Sequence, residues 1–113
     1  MGKTSYIRFL NYLNTLIDSA DIEKLDSLEA ALLDEVMQRS SNAREVLVGD
    51  LLKLSSIGSQ ATLHGRIKRL ISSGYLQLQT DLVDGRKKKL LPTKLALKRY
   101  DIFSKIVAKA VKE

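Results

Sequence analysis

The apolar positions in the first forty residues repeat with a helical period. From Ser5 to about Ser19, apolar residues recur at the i, i+3, i+4, i+7 spacing that places one stripe along one side of a helix. A second helix is predicted to begin at Asp26 and to end near Ser40, because Asp26 and Glu29 have the spacing of a capping box. Its buried stripe is predicted to comprise Leu28, Leu32, Val36 and Met37.

The middle of the chain is predicted to form shorter helices and strands. Glu45–Leu47 is predicted to be a small edge strand, because a hairpin needs a third partner to be stable. A short helix is predicted over Gly49–Leu54, and the following turn is expected to give Gly58 a positive φ. Ser59 is predicted to cap a fourth helix. The core-facing side chains of that helix are Leu63, Ile67, Leu70 and Ile71.

A helix stop, a hairpin and a last helix follow. Gly74 suits the left-handed residue that ends many helices. Tyr75–Gln79 alternates apolar and polar residues as a half-buried strand does, and Lys88–Leu91 is its predicted partner, stopped by Pro92. The last helix is predicted over Thr93–Val111.

These elements predict an α+β fold that is mostly helical: a three-helix core, a small antiparallel sheet, and an extra helix at each end. We expect one domain over residues 1–113, divided into an N-terminal helix (1–20), a helix-and-hairpin region (44–92) and a C-terminal helix (93–113). The sequence contains no cysteine, which excludes disulfides and thiolate zinc sites. It has neither an apolar run of membrane-spanning length nor a secretory signal, so we expect a cytoplasmic protein with no membrane partner.

The charge is distributed unevenly along the chain. Residues 1–47 contain five Lys or Arg and eight Asp or Glu, a net charge of −3, whereas residues 48–113 contain 14 and five, a net charge of +9. A basic half of this kind favours a partner with dense negative charge, most simply nucleic acid. The alternative is a solvated, lysine-rich surface.

The fourth helix carries the first candidate binding surface. On a helical wheel, its side opposite the core has small polar residues near the N-terminus and cations near the C-terminus. Small side chains and a glutamine suit contact with base edges, and lysine and arginine suit phosphates. A glycine there favours close backbone approach to DNA; the alternatives are close approach to another helix and a glycine that is merely tolerated. The candidate residues are Ser59, Gln60, Ala61, Thr62, His64, Gly65, Arg66, Lys68 and Arg69.

The predicted hairpin carries the second candidate surface. Its tip contains a glycine turn and then four consecutive cations, which suit the negative potential of a DNA minor groove. Lysines also protect sheet edges from pairing with other chains, which is the alternative explanation. The candidate residues are Asp84, Arg86, Lys87, Lys88 and Lys89.

Catalytic and cofactor-binding patterns are missing from the sequence. It has no Ser/His/Asp or Cys/His set and no phosphate-binding glycine loop, and its single histidine, His64, cannot build a metal site alone. We therefore expect a protein that is not an enzyme and that needs no cofactor or metal.

Residues 44–100 resemble the MarR type of winged helix-turn-helix transcriptional regulator. Leu47–Leu52 is similar to the first helix of the helix-turn-helix, and Ser59–Leu70 resembles its recognition helix. Gly74–Leu76 is similar to the step into the wing. Asp84-Gly85-Arg86 matches the Asp-x-Arg wing motif, and Leu91–Thr93 resembles the entry to the next helix.

The resemblance implies a function and two residue roles. It implies that Arg86 enters the minor groove and that Asp84 helps to fix the wing. The expected function is sequence-specific binding to double-stranded DNA, with repression by occupying an operator. The alternative is a winged helix that serves as a protein-protein interaction or assembly module. The sequence does not identify a small-molecule effector.

Apolar stripes at both ends of the chain predict a homodimer. Left exposed, they would form larger apolar patches than a soluble monomer usually carries. The alternative is that the two stripes pack only on each other within one chain. The candidate dimerisation residues are Tyr6, Phe9, Leu10, Leu13, Leu16, Ile17, Tyr100, Phe103, Ile106, Val107 and Ala110.

Overall fold

The computed structural model describes residues 4–19 and 24–112. In chain order, the described residues form α1 (Ser5–Ser19), α2 (Ser27–Ser41), α3 (Val48–Leu51), α4 (Gln60–Ser72), β1 (Leu76–Thr80), β2 (Lys88–Pro92) and α5 (Lys94–Lys112). This confirms the predicted α+β, mostly helical class. The chain divides into two compact units, a central unit over Leu25–Ala96 and a terminal unit from the two ends. The single-domain boundary over 1–113 stays a prediction.

Local sequence signals set the ends of the helices in the central unit. Asp26 accepts a hydrogen bond from the Glu29 backbone N–H (2.8 Å), and Glu29 Oε1 accepts one from the Asp26 N–H (2.9 Å), so the predicted capping box forms. Ser59 Oγ accepts from the Thr62 N–H at the start of α4 (3.2 Å). Gly74 follows α4 with a φ of 89°, the left-handed conformation expected there.

The core of the central unit lies between α2, α3, α4 and the sheet. α4 contributes Leu63, Ile67 and Leu70, as predicted, whereas Ile71 is half-buried. On α2 the predicted Leu32 and Val36 are fully buried. The remaining buried apolar side chains are Leu33, Val46, Leu51, Tyr75, Leu76, Leu90 and Ala96.

The sheet has two strands rather than the predicted three. β1 and β2 pair antiparallel with Leu78 opposite Leu90, and Pro92, predicted to stop the ladder, forms its last position opposite Leu76. The region predicted as a third strand provides only a bridge between Leu47 and Lys89. One backbone hydrogen bond, from the Leu90 N–H to the Val46 carbonyl (2.8 Å), supports this bridge, and α3 begins directly afterwards, which leaves no residues for a strand.

Two further predictions around α3 were wrong in detail. α3 covers Val48–Leu51 rather than Gly49–Leu54, because the chain turns from Leu52 onward. Gly58 does not have a positive φ. A Cβ placed there would lie 3.6 Å from the Thr62 side chain and 3.7 Å from Leu63, which are ordinary van der Waals distances, so packing against α4 does not require glycine at this position.

The terminal unit contains α1 and the part of α5 beyond Ala96. The Arg8 guanidinium connects the two helices by donating to the Ala110 carbonyl from Nε (3.1 Å) and Nη2 (2.9 Å). Lys109 Nζ lies 4.5 Å from the centre of the Tyr12 ring, a cation–π contact between the same helices. α1 and α5 therefore pack on each other within one chain.

Candidate nucleic-acid interface

The outer face of α4 is open to solvent along its whole length. Of the nine residues predicted for this surface, eight are exposed, and Arg66 is half-buried. Gln60 and Thr62 lie in the first turn, behind the Ser59 cap, and Lys68 lies two turns further on. The exposed residues that complete the face are Ser59, Ala61, His64, Gly65 and Arg69.

Gly65 lies in the middle of this open face. A Cβ added there would meet no atom within 4 Å, so close packing against another helix does not explain the glycine. A helical glycine costs about 1 kcal/mol relative to alanine. The α4 backbone at Gly65 is therefore accessible from solvent.

Two arginines of α4 are held by the N-terminus of α2. Arg66 Nε lies 2.8 Å from Asp26 Oδ2, and Arg69 Nε lies 2.7 Å from Glu29 Oε2. Both are close ion pairs rather than linear hydrogen bonds. Glu29 has a 1% exposed side chain, so the ion pair with Arg69 partly desolvates a carboxylate. Sequence reasoning missed these pairs, because about forty residues separate the partners along the chain.

The loop that joins β1 to β2 is closed by its own hydrogen bonds. The Asp81 N–H donates to the Lys87 carbonyl, and the Lys87 N–H donates to the Asp84 carbonyl, both at 2.9 Å. Asp81 Oδ1 accepts from the Val83 N–H (2.8 Å) and the Asp84 N–H (3.1 Å). These two backbone donors lower the pKa of Asp81. We call residues 81–87 the wing loop.

Asp84 holds Arg86 at the outer end of the wing loop. Asp84 Oδ1 accepts from the Arg86 backbone N–H (3.1 Å) and from Nε of the guanidinium (3.2 Å). The Arg86 side chain is nevertheless 94% exposed. The terminal nitrogens of its guanidinium therefore remain accessible to an external acceptor.

The Glu45 carboxylate forms ion pairs with two lysines of the hairpin. Its carboxylate lies 2.8 Å from Lys89 Nζ and 3.6 Å from Lys87 Nζ. The hydrogen bond from Lys89, followed by the charges of both lysines, lowers the pKa of Glu45, and the same contact raises the pKa of Lys89. Within the described part of the chain, Lys68 and Lys88 are the predicted interface cations that have no ion-pair partner.

The predicted dimerisation residues lie in the terminal unit, and the Ile17 side chain falls outside the described residues. Tyr6 is 66% exposed and Val107 is 47% exposed, whereas Ala110 is buried. Tyr6, Phe9, Val107 and Ala110 line an apolar groove of about 320 Å³. The half-buried residues are Phe9, Leu10, Leu13, Leu16, Tyr100, Phe103 and Ile106.

Two features are absent from the described ranges, a membrane-spanning helix and a cluster of metal-binding side chains. No helix there is both long enough and apolar enough to cross a bilayer. The same ranges hold no group of three or more His, Asp or Glu side chains arranged to bind a metal ion.

Solved structures share this fold at low sequence identity. PefR, a heme sensor protein from Streptococcus agalactiae in complex with heme, is 18% identical with a TM-score of 0.66, covering 92% of this chain and 69% of that chain. BpsR from Bordetella bronchiseptica, whose DNA binding is regulated by 6-hydroxynicotinic acid, is 19% identical with a TM-score of 0.60, covering 97% and 77%. A MarR protein from Peptoclostridium difficile is 19% identical with a TM-score of 0.59, covering 99% and 73%.

No family model matches the sequence, and no curated protein matches it. The structural likeness confirms the predicted MarR-type winged helix at the level of the fold. In that fold, α3 and α4 correspond to the helix-turn-helix, and the β1–β2 hairpin corresponds to the wing.

Proposed function

We propose that this chain is a sequence-specific, double-stranded DNA-binding transcriptional regulator that represses by occupying an operator. One observation carries the proposal: the open polar face of α4 and the basic wing loop belong to the same compact unit. A helix fits the major groove, and an arginine on a hairpin suits the negative potential of a narrow minor groove. The fold supports the proposal, since one structural neighbour is described by its DNA binding.

The proposed roles follow from exposure and from existing partners. Gln60 and Thr62, exposed in the first turn of α4, read base edges. Lys68 and Lys88, which have no carboxylate partner among the described residues, contact phosphates first. Arg86 enters the minor groove, positioned by Asp84.

The remaining interface residues have supporting roles. Arg66 and Arg69 orient α4 through Asp26 and Glu29 as well as facing DNA. On binding, Lys87 and Lys89 leave the Glu45 carboxylate and contact DNA phosphates instead. Ser59, Ala61, His64 and Gly65 let the α4 backbone approach the groove.

We further propose that the regulator is a cytoplasmic homodimer and acts without catalysis. Tyr6 and Val107 keep large apolar surface exposed although α1 and α5 already pack together, and a second copy would cover that surface. A two-fold dimer places two copies of α4 on a palindromic site. Heme and 6-hydroxynicotinic acid are ligands of PefR and BpsR, and we assign no effector to this chain.

The direct test is the salt dependence of binding to duplex DNA. If about six phosphates are neutralised per protomer, the logarithm of the association constant should fall with the logarithm of salt with a slope near −5. The measurement is fluorescence anisotropy with a labelled duplex at several salt concentrations. A duplex recovered by selection from random sequence then tests specificity against a scrambled duplex of equal composition.

Two outcomes would count against the proposal. A flat salt response, or no binding, would favour the rival protein-protein module. Equal affinity for the selected and scrambled duplexes would remove sequence specificity and with it the operator.

A further inference from the structure

Two large apolar side chains stand at the tip of the wing loop, entirely in solvent. Leu82 has a relative exposure of 102% and Val83 of 97%, the highest values among the exposed large apolar residues of the described chain. Isolated apolar residues on a surface are ordinary. Two adjacent ones in the loop of a basic hairpin are not explained by the core, which neither side chain touches.

The wing loop presents these side chains on a constrained turn. Asp81 Oδ1 accepts the backbone N–H of Val83 at 2.8 Å, and the Asp81 N–H closes the base of the loop on the Lys87 carbonyl. Because the hydrogen bonds of the turn use the Asp81 side chain and backbone groups, the Leu82 and Val83 side chains are left pointing outward. A constrained apolar tip loses less conformational freedom on binding than a flexible one does.

The positive charge around the tip favours DNA over an apolar protein surface as its partner. Arg86, Lys87 and Lys88 follow within five residues of Val83, and all three are exposed. An apolar protein surface would have to desolvate these cations without compensation, whereas DNA offers phosphates for the cations and stacked bases for the apolar tip. Minor-groove proteins use leucine and similar side chains in this way, partly unstacking a base step and kinking the duplex.

We propose that Leu82 and Val83 form an apolar wedge that enters the minor groove at a base-pair step and bends the DNA. The wing thus has a mechanical function besides the electrostatic one of Arg86. Pyrimidine–purine steps such as TA unstack most easily, so the wedge should favour sites with such a step under the wing. This inference rests on the proposed DNA binding, but it concerns the shape of the bound DNA rather than binding itself.

The test measures affinity and bending separately with full-length protein. The probe is the selected duplex, about 30 base pairs long and labelled at its two ends, so that energy transfer reports the bend. We expect the wild-type protein to bend it by about 20° or more. The double variant L82S/V83S should lose the bend and bind about tenfold more weakly, because the apolar contact is removed.

Two control variants make the result specific to the wedge. Leu78→Ser removes a partly exposed leucine from β1 rather than from the tip and should bend DNA as the wild type does. Leu82→Met keeps an apolar side chain at the tip and should retain most of the bend. Replacing the TA step by a GC step should reduce bending by the wild type more than by L82S/V83S.

The outcomes separate this inference from the proposed function. A wild-type protein that binds the duplex without bending it, or an L82S/V83S variant that bends it equally, would overturn the wedge and leave DNA binding intact. No binding by the wild type would overturn both. Loss of binding to phosphatidylglycerol vesicles in L82S/V83S, with bending unchanged, would assign the tip to a membrane surface instead.

Discussion

At the scale of single residues, Glu29 joins two elements of the central unit. It completes the capping box of α2 and pairs with Arg69 of α4, so it connects the start of one helix to the face of another. The side chains differ in exposure, 1% for Glu29 and 58% for Arg69. Losing the arginine therefore leaves a buried carboxylate without its cation, whereas losing the carboxylate leaves an arginine that water can reach.

This asymmetry predicts unequal effects on stability. Arg69→Ala should lower the free energy of unfolding by about 2 kcal/mol, because the buried charge of Glu29 loses its partner. Glu29→Gln should cost only about 1 kcal/mol, since the amide oxygen can still accept from the Asp26 N–H. Urea unfolding at one protein concentration measures both. The control is Lys68→Ala, an exposed residue with no ion-pair partner among the described residues, which should stay within about 0.5 kcal/mol. Equal losses for the two variants would contradict this account.

Base reading and phosphate contact should separate along α4. Gln60→Ala or Thr62→Ala should cost about 1–3 kcal/mol on the selected duplex and relax base preference at one or two positions. Lys68→Ala should weaken binding to the selected and scrambled duplexes alike, because phosphates carry no sequence information. Competition binding with single-base variants of the duplex gives the comparison. Full base preference in the Gln60 and Thr62 variants would mean that α4 docks on another face.

At the scale of elements, we expect the wing to act in binding and to contribute little to the core. Arg86→Ala should weaken DNA binding by about 1.5–3 kcal/mol, the range of a hydrogen bond to a charged group, without changing the unfolding midpoint. The preference for an A·T-rich flank should fall too, because a narrow minor groove is what the arginine senses. Arg86→Lys keeps the charge but loses the planar fork, and should recover affinity more than flank preference. Unchanged binding by Arg86→Ala would leave this residue as protection for the sheet edge.

Acid should loosen the wing before the core. The pKa values of Asp81 and Glu45 are lowered in the folded chain, so each contributes stability above its unfolded pKa and loses it as pH falls through the folded value. Between about pH 5 and about pH 3, amide exchange at Val83 and Asp84 should therefore accelerate more than at Leu70 after correction for intrinsic rates. Asp81→Asn keeps an acceptor that does not titrate, so its wing amides should lose less protection. Parallel loss of protection at all three amides would point to global unfolding.

The elements also show which structural features a single sequence can predict. The ends of α2 and α4 follow from local signals, because Asp26, Ser59 and Gly74 act on residues within four positions of themselves. The prediction of a third strand was wrong, because a strand pairs only where the rest of the fold leaves room for it. Here α3 already begins at Val48. The Glu29–Arg69 pair was missed for a similar reason, since no local pattern connects residues forty positions apart.

The apolar wing tip differs from the third strand and from the ion pair, because its two apolar residues can be seen in the sequence itself. Leu82 and Val83 interrupt an otherwise polar loop, and only the structure shows that no described residue covers them. The candidate residues of the interface came from exposure on a helical wheel and from a run of cations. Neither pattern reveals which cations already have partners: Glu45 engages Lys87 and Lys89, and Asp84 engages Arg86.

At the scale of the whole molecule, carboxylates of the N-terminal half partly neutralise the positive charge of the C-terminal half. Residues 48–113 carry a net +9, but several of their cations pair with carboxylates from residues 1–47, among them Glu29 and Glu45. In the proposed complex, DNA phosphates would replace some of these carboxylates, and such exchange contributes less than contact with a cation that has no carboxylate partner. Lys68 and Lys88 should therefore account for more of the salt dependence than Lys89.

The last prediction concerns assembly through the terminal unit. Tyr6 and Val107 are exposed within one chain, so Tyr6→Asp and Val107→Asp should spare the packing of α1 on α5 and still disrupt a dimer that covers them. Ala108→Asp adds the same charge to the next, exposed position of α5 and is the matched control. Light scattering should give a dimer mass for the wild type and Ala108→Asp and a monomer mass for the other two. Their affinity should fall on a palindrome with half-sites ~10 base pairs apart, but hardly on a single half-site, because only the palindrome engages two protomers. A monomer mass for the wild type at tens of micromolar, with one-to-one binding of a single half-site, would refute the dimer.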